Sequence, residues 1–252
     1  MCLLLIANKV HPEFKLIIAA NRDEFYNRQA SPADFWKECP DILAGKDLQA
    51  KGTWLGITKK GRFSALTNYR DLKNINQDAP TRGKLTIDFL KGNYSPLEYY
   101  NNIKKDAGSF NGYNLITGTI EDLYYFSNIS NEFLELGIGI FGLSNSLLDT
   151  PWPKVNQIKK VFGEIISKSG SRNLLLDALA DNSFFEDETL PDTGIGIELE
   201  RALSPIFVKT PIYGTRCSTV IMVSYDDNVA FVERTYTDGK YSDKEFKFKL
   251  DK

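Results

Sequence analysis

Cysteine stands second in the chain, and Cys2-Leu3-Leu4-Leu5-Ile6-Ala7-Asn8 is an apolar run that predicts a buried strand starting at that thiol. With Met1 removed, one carbon would carry both a thiol and a free α-amine, and an amine with an ordinary pKa near ~8 can act as the base for its own neighbour. Such a nucleophile needs no histidine. The sequence has a single histidine, His11, in the polar stretch Asn8-Lys9-Val10-His11-Pro12-Glu13 between two apolar runs. That context places it in a turn and makes it a poor base for a distant serine or cysteine. Zinc chemistry finds no support, because there is no H-E-x-x-H or Cys-x-x-Cys and the three cysteines, Cys2, Cys39 and Cys217, are scattered. No metal site is expected.

Positioning Cys2 falls to its sequence neighbours. Phe14-Lys15-Leu16-Ile17-Ile18-Ala19-Ala20 is a second apolar, β-branched run, and the polar turn around Pro12 joins the two as an antiparallel hairpin. Symmetric pairing about that turn carries Asn21-Arg22-Asp23-Glu24 to the side of Cys2. On a regular strand Arg22 and Asp23 point to opposite faces, so only one of them faces the thiol. A second hairpin is expected over Thr53 to Thr58 and Phe63 to Asn68, turning at Lys59-Lys60-Gly61.

Lys84 to Lys91 reads as a helix. Ser95-Pro96-Leu97-Glu98, a capping box with proline at the first helical position, opens another that runs to about Asp106. Strands are expected at Tyr113 to Thr117, Leu123 to Ser127 and Phe133 to Leu143. From Lys154 to Ser169 the residues Val155, Ile158, Val161, Phe162, Ile165 and Ile166 recur at helical spacing, and Arg172 to Ala180 predicts a further helix. The acidic stretch Glu186 to Gly196, rich in Gly, Pro and Thr, reads as a surface loop in preference to a lid. Strands at Ser218 to Ser224, Val229 to Tyr236 and Glu245 to Leu250 close the chain. This order lacks the regular alternation of a parallel doubly wound sheet. An α+β four-layer αββα sandwich, two antiparallel sheets packed face to face and covered by helices, satisfies it.

Composition bounds the function. With 252 residues, 42% hydrophobic and 25% charged, the chain predicts one domain over 1–252 with one large core. A net charge of -2 leaves no basic footprint for nucleic acid. An odd number of widely spaced cysteines argues for a reducing compartment, and a cytoplasmic location is expected. The apolar start is too short for a membrane helix and lacks a charged leader with a cleavage site, so neither an integral membrane segment nor a signal peptide is expected.

Six segments, Met1-Cys2, Asn21-Arg22-Asp23-Glu24, Gly52-Thr53-Trp54-Leu55-Gly56, Leu66-Thr67-Asn68-Tyr69-Arg70, Gly142-Leu143-Ser144-Asn145 and Tyr213-Gly214-Thr215-Arg216, together resemble the NRDE family, the family of the transport and Golgi organisation proteins. The resemblance runs from Met1 into the last third of the chain with the segments in family order. It implies the fold of N-terminal nucleophile hydrolases, especially the bile-salt and penicillin V acylase branch. It also implies links to haem trafficking and to acyl-CoA or lipid metabolism.

Residue by residue, the resemblance implies Cys2 as nucleophile, Asp23 as the acid that orients the α-amine, and Asn68 and Asn145 as amide donors to a developing oxyanion. Arg216 would bind a ligand carboxylate or phosphate through its planar fork, with Arg70 and Arg82 as further candidates. Trp54 and Tyr69 would wall the pocket, with Asn21 and Arg22 as additional contacts from the NRDE segment. The acylase branch has an arginine three residues before its aspartate where this chain has Ala20. Each residue also has a plainer reading: turn-forming asparagines, core aromatics, and a surface ion-pair group of Arg22, Asp23, Glu24 and Arg28.

Two functions remain. One is a cysteine amidohydrolase or thioesterase acting on a small acyl amide or thioester with no cofactor required. The other is a carrier that holds haem or acyl-CoA in the same pocket without cleavage, haem drawing an axial ligand from Cys2, His11, Cys217, Met222 or a tyrosine.

Overall fold

The computed structural model describes residues 2–251; Met1, Lys252 and the side chain of Cys2 lie outside the described residues. The first two apolar runs pair as expected. β1 (Cys2–Asn8) lies antiparallel to β2 (Phe14–Phe25) in a register that sets Cys2 opposite Arg22 and Leu4 opposite Ala20. β2 continues through the whole NRDE segment because β11 (Tyr213–Ser224) pairs with it along its length, from Tyr213 opposite Phe25 to Ser224 opposite Phe14.

With β10 (Gly139–Leu143), β12 (Asn228–Thr237) and β13 (Lys240–Lys249) these strands form a six-stranded sheet in the order β10-β1-β2-β11-β12-β13. The second sheet has seven strands, β3 (Ala30–Trp36), β4 (Cys39–Asp47), β5 (Leu55–Thr58), β6 (Arg62–Asn68), β7 (Tyr113–Thr119), β8 (Leu123–Ser127) and β9 (Phe133–Leu136), paired in sequence order. Every ladder in both sheets is antiparallel.

Alternation along β1 and β2 builds the layers. Leu4, Ile6, Ile18 and Ala20 pack against Leu55, Ile57, Phe63 and Ile116 between the sheets. Leu3, Leu5, Ala7, Ile17 and Ala19 face the other way, onto α3 (Pro153–Lys168) and α4 (Arg172–Ala178) through Val155, Ile158, Phe162 and Leu175. Burying each of these larger side chains contributes roughly 1.5–3 kcal/mol, which is why a single helical stripe suffices to hold α3. On the far sheet α1 (Gly83–Lys91) and α2 (Pro96–Ile103) supply Leu85, Phe89 and Tyr99 to a core shared with Leu66, Tyr113 and Phe126. The result is the four-layer αββα sandwich expected from the element order. The Ser95–Glu98 capping box is present with both reciprocal hydrogen bonds.

Several elements differ from expectation. The run from Phe133 to Leu143 is not one strand: β9 ends in one sheet, Gly137 and Ile138 cross over, and β10 pairs with β1 in the other. A continuous apolar run conceals such a crossing because both strands bury side chains. β3 and β4 were not anticipated. Pro32 and Asp34 break the alternation of β3, which its position at the sheet edge and an irregularity between Ser31 and Asp34 accommodate. The short helix α5 (Ile197–Ala202) also went unforeseen, and α2 ends at Ile103, short of Asp106. No helix among the described residues is long and apolar enough to cross a membrane.

Candidate active site

At the C-terminal end of β2 the two sheets part around a cavity of about 280 Å³ lined by Arg22, Asp23, Glu24, Trp54, Asn68 and Arg82, among others. Its rim is held by a close backbone approach. Gly52 lies so near the first turn of α1 that a Cβ there would sit 2.5 Å from the carbonyl carbon of Gly83, and the Thr53 amide donates to the Gly83 carbonyl at 3.3 Å. The ladder register brings the backbone of Cys2 to this end of the hairpin, opposite Arg22.

Asp23 is almost fully buried, with 3% exposure. Thr215 fixes one of its oxygens: the Thr215 hydroxyl accepts the Val208 amide at 3.0 Å, so its own proton points to Asp23 Oδ1 at 2.7 Å. The Tyr213 hydroxyl donates to the Asp23 carbonyl at 3.0 Å. Burial holds the Asp23 carboxyl above its ordinary value, against the opposing pull of Lys154, the Thr215 hydroxyl and Arg22. Lys154, at the start of α3, is buried as well, and its Nζ donates to the Leu203 carbonyl at 2.7 Å. Desolvation lowers its ammonium to about 8, with Asp23 and Glu200 raising it and Arg70 lowering it further.

The four letters of the NRDE segment part company. Asn21 faces the helices, where its Nδ2 donates to the carbonyls of Leu179 and Ile206, both at 2.9 Å, and its Oδ1 accepts from Ser218 at 2.6 Å. It fastens the fold and does not reach the cavity. Arg22 faces the opposite sheet and lays its guanidinium over Trp54, 4.2 Å from the ring centroid. Arg22 and Asp23 therefore do leave the strand toward different partners, yet both reach the cavity because it opens at the strand's end, where β11 bulges between Thr215 and Cys217. Glu24 spends one oxygen on the Phe25 amide and lies 3.8 Å from Arg22 and 3.7 Å from Arg28.

Asn68 lines the cavity from β6. Asn145 stands behind it: its Nδ2 donates to the Asn68 carbonyl at 2.8 Å, and its own carbonyl accepts the Arg70 amide at 2.8 Å. The remaining ligand-contact candidates lie elsewhere. Tyr69 lies beside Gly112, whose carbonyl accepts its amide. Arg70 is buried in an ion pair with Glu200 and lies over Trp152, 4.9 Å from its ring centroid. Arg216 points into the β2–β3 turn, donating to the carbonyls of Phe25, Tyr26 and Arg28 at 2.9, 3.0 and 3.3 Å. These contacts suit turn formation, so the expected anion-binding role of Arg216 has no support in its surroundings.

Sequence reasoning passed over Thr215 as the partner of Asp23, although it sits within a quoted family segment. It also passed over Lys154 and Glu200. A signal for Lys154 exists: four residues before Ile158 and eight before Phe162, it falls on the apolar stripe of α3. Glu200 accepts the Thr193 amide at 2.8 Å and its hydroxyl as well as Arg70, and so anchors the segment read as a loop, which does not line the cavity at the end of β2.

Comparison with known proteins matches residues 1–238 to the family described as Transport and Golgi organisation 2. A Transport and Golgi organization protein 2 homolog of Bos taurus is 37% identical over 242 residues, covering 88% of this chain and 87% of that protein. The Drosophila melanogaster Transport and Golgi organization protein 2 is 27% identical, covering 94% and 93%. Among solved structures, a Caenorhabditis elegans ortholog of N-acylethanolamine-hydrolyzing acid amidase aligns with a TM-score of 0.45 at 10% identity, covering 87% of this chain and 92% of its own. A C2A mutant of conjugated bile acid hydrolase from Clostridium perfringens aligns with a TM-score of 0.43 at 10% identity, covering 100% and 97%. The chain thus belongs to the Transport and Golgi organisation 2 family.

Proposed function

We propose that the protein is an N-terminal cysteine amidohydrolase or thioesterase that opens a small acyl substrate through an acyl-Cys2 intermediate. The observation that carries this reading is the β1–β2 register, which sets the backbone of Cys2 opposite Arg22 at the cavity that Asp23 and Asn68 line. In this reading the Cys2 sulfur forms a bond to the substrate carbonyl carbon as its proton passes to the α-amine. The C–N or C–S bond to the leaving group then breaks as that proton is delivered to it. Water, deprotonated by the same amine, opens the thioester and releases the acid. Asp23, fixed by Thr215, holds the ammonium form of the amine in place. An amide nitrogen carries two hydrogens; Asn145 spends one on the Asn68 carbonyl and so sets the position of Asn68 for oxyanion binding.

The carrier reading has less behind it. His11 and Met222 both lie against Gly170, Cys217 is buried in β11, and none of the three lines the cavity. Intact-mass measurement of protein incubated with an acyl thioester tests the proposal. Loss of Met1 and gain of one acyl group, absent in Cys2→Ala, is the expected result. A retained methionine with no adduct overturns it.

A further inference from the structure

The edge of a sheet is a row of unpaired main-chain donors and acceptors, and three of the four edges in this fold are blunted. β3 carries Pro32 and two breaks in its register, while β9 and β10 are only 4 and 5 residues long. β13 differs from all of them. It has 10 residues in unbroken register with β12 and ends the six-stranded sheet, with no strand beyond it among the described residues. It also lies past residues 1–238, the stretch that matches the family.

The turn into β13 decides which of its backbone groups are open. Asp238 and Gly239 both have positive φ, 50° and 74°, which is the geometry of a two-residue type I′ hairpin whose flanking residues, Thr237 and Lys240, exchange hydrogen bonds. Bonded and non-bonded pairs then alternate along the ladder. Even-numbered residues of β13 bond to β12, and the Leu250 amide continues that series by donating to the Asp227 carbonyl at 2.9 Å. Tyr241, Asp243, Glu245, Lys247 and Lys249 therefore turn their N–H and C=O groups to the open edge, and all five are exposed.

Charge along these residues is antisymmetric. Asp243 and Glu245 precede Phe246, and Lys247 and Lys249 follow it at the mirrored positions. An antiparallel copy turned about a two-fold axis at Phe246 sets Glu245 opposite Lys247 and Asp243 opposite Lys249, and these are the residues whose main-chain groups meet. Neighbouring registers fail: an axis at Glu245 sets that acid against itself, one at Lys247 sets that lysine against itself, and one at Lys244 sets Asp243 against Glu245. Like charges directly opposed across a ladder are destabilising. An edge guarded by lysines alone would repel a copy in all of these registers. Arg234 and Arg172 already hold Asp243 and Glu245, at 2.9 and 2.7 Å, which fixes the acids in place, and a carboxylate with about four lone-pair sites accepts a further cation. The open stretch ends at Asp251, whose amide donates to the Lys59 carbonyl.

We propose that β13 pairs antiparallel with β13 of a second copy of this chain about a two-fold axis at Phe246, joining two six-stranded sheets into one continuous sheet. The contact is isologous: each strand offers two acids and receives two lysines, with main-chain hydrogen bonds between them.

Sedimentation of the full-length protein over a concentration series tests the proposal. Native protein should pass from monomer to dimer with a Kd no weaker than about 100 μM at low salt, and added salt should weaken the dimer. Lys247→Glu places acid opposite Glu245 in both copies and should raise Kd at least about tenfold, whereas Lys240→Glu makes the same charge change outside the paired stretch and should leave Kd within about twofold. Native protein that stays monomeric, or a dimer that both substitutions weaken equally, overturns the proposal. Cross-linking reads the register without relying on charge. In protein carrying Cys39→Ser, a mixture of the Glu245→Cys and Lys247→Cys variants should oxidise to a dimer linked between those two positions, because directly opposed residues have Cα atoms roughly 5.5 Å apart. Either variant alone holds its new thiols two positions out of register, beyond the roughly 7 Å that a disulfide spans. Linkage in either variant alone as efficient as in the mixture overturns the register.

Discussion

Asn21 and Arg22 are adjacent, almost equally buried, and opposite in what surrounds them. Asn21, on the helix side of β2, has two carbonyls and a hydroxyl within 2.9 Å. Arg22, on the sheet side, has the Trp54 ring 4.2 Å from its guanidinium and ion pairs to Glu24 and Asp47, each at 3.8 Å. Burial alone does not separate structural from functional polar groups. Position does: Asn21 spends its hydrogen bonds inside the fold, whereas Arg22 lies on the wall of the cavity.

Asp23 lines the cavity as well, and Asp23→Asn is the strongest way to test the division. Activity, read as the rate of acyl transfer to Cys2, should fall by on the order of 10³-fold as the α-amine loses its orienting charge. Stability should move the other way. Burial raises the Asp23 carboxyl above its ordinary value, so the stability that the protonated form contributes is lost as pH rises through the raised value. The variant should melt higher than native protein at pH 7, and its advantage should shrink as the pH falls toward the ordinary carboxylate range.

Asn21→Ala is the converse. It leaves two buried carbonyls short of a donor, while the Ser218 hydroxyl keeps Tyr236, and should cost about 3 kcal/mol in urea unfolding while acyl transfer to Cys2 by the folded protein stays close to native. A loss of acyl transfer without a stability loss would erase the distinction between the two residues.

Lys154→Met is diagnostic through its pH dependence. Removing the ammonium near Asp23 raises the carboxyl further, and the acid limb of the rate–pH profile should move to higher pH. In native protein the lysine titrates near 8 when folded against 10.5 when unfolded, so its buried charge weakens the fold below pH 8 and that penalty is relieved as pH rises between the two values. The difference between native and variant unfolding free energies should therefore change by up to roughly 3 kcal/mol across that window and be flat below it.

Much of the scaffold was legible because local signals agreed with one another: the first hairpin from its paired apolar runs, α3 from its stripe, α2 from its capping box. The crossing at Gly137 and Ile138 was hidden because periodicity reports burial and not which sheet does the burying. Within the site, Cys2, Asp23, Asn68, Arg22 and Trp54 came from family segments, and the geometry gathers the last four around one cavity. Arg70, Tyr69, Asn21 and Arg216 came from the same segments and lie outside it, since a motif preserves scaffold and chemistry together. The charges of Lys154 and Glu200 come from distant parts of the chain, and only the packed tertiary structure brings them to Asp23 and Arg70.

The strand that begins with Cys2 is made before both strands that flank its hairpin: β10 lies more than 130 residues downstream, and β11, which completes the NRDE strand, lies later still. During synthesis the opening hairpin must therefore wait with one edge unpaired until β10 has emerged and the other until β11 has. Long-range closure of this kind is slow and leaves sticky edges open to other chains. A ribosome-bound nascent chain should depend on chaperone protection until its last third appears, and truncation before β11 should yield aggregates and not a smaller working domain.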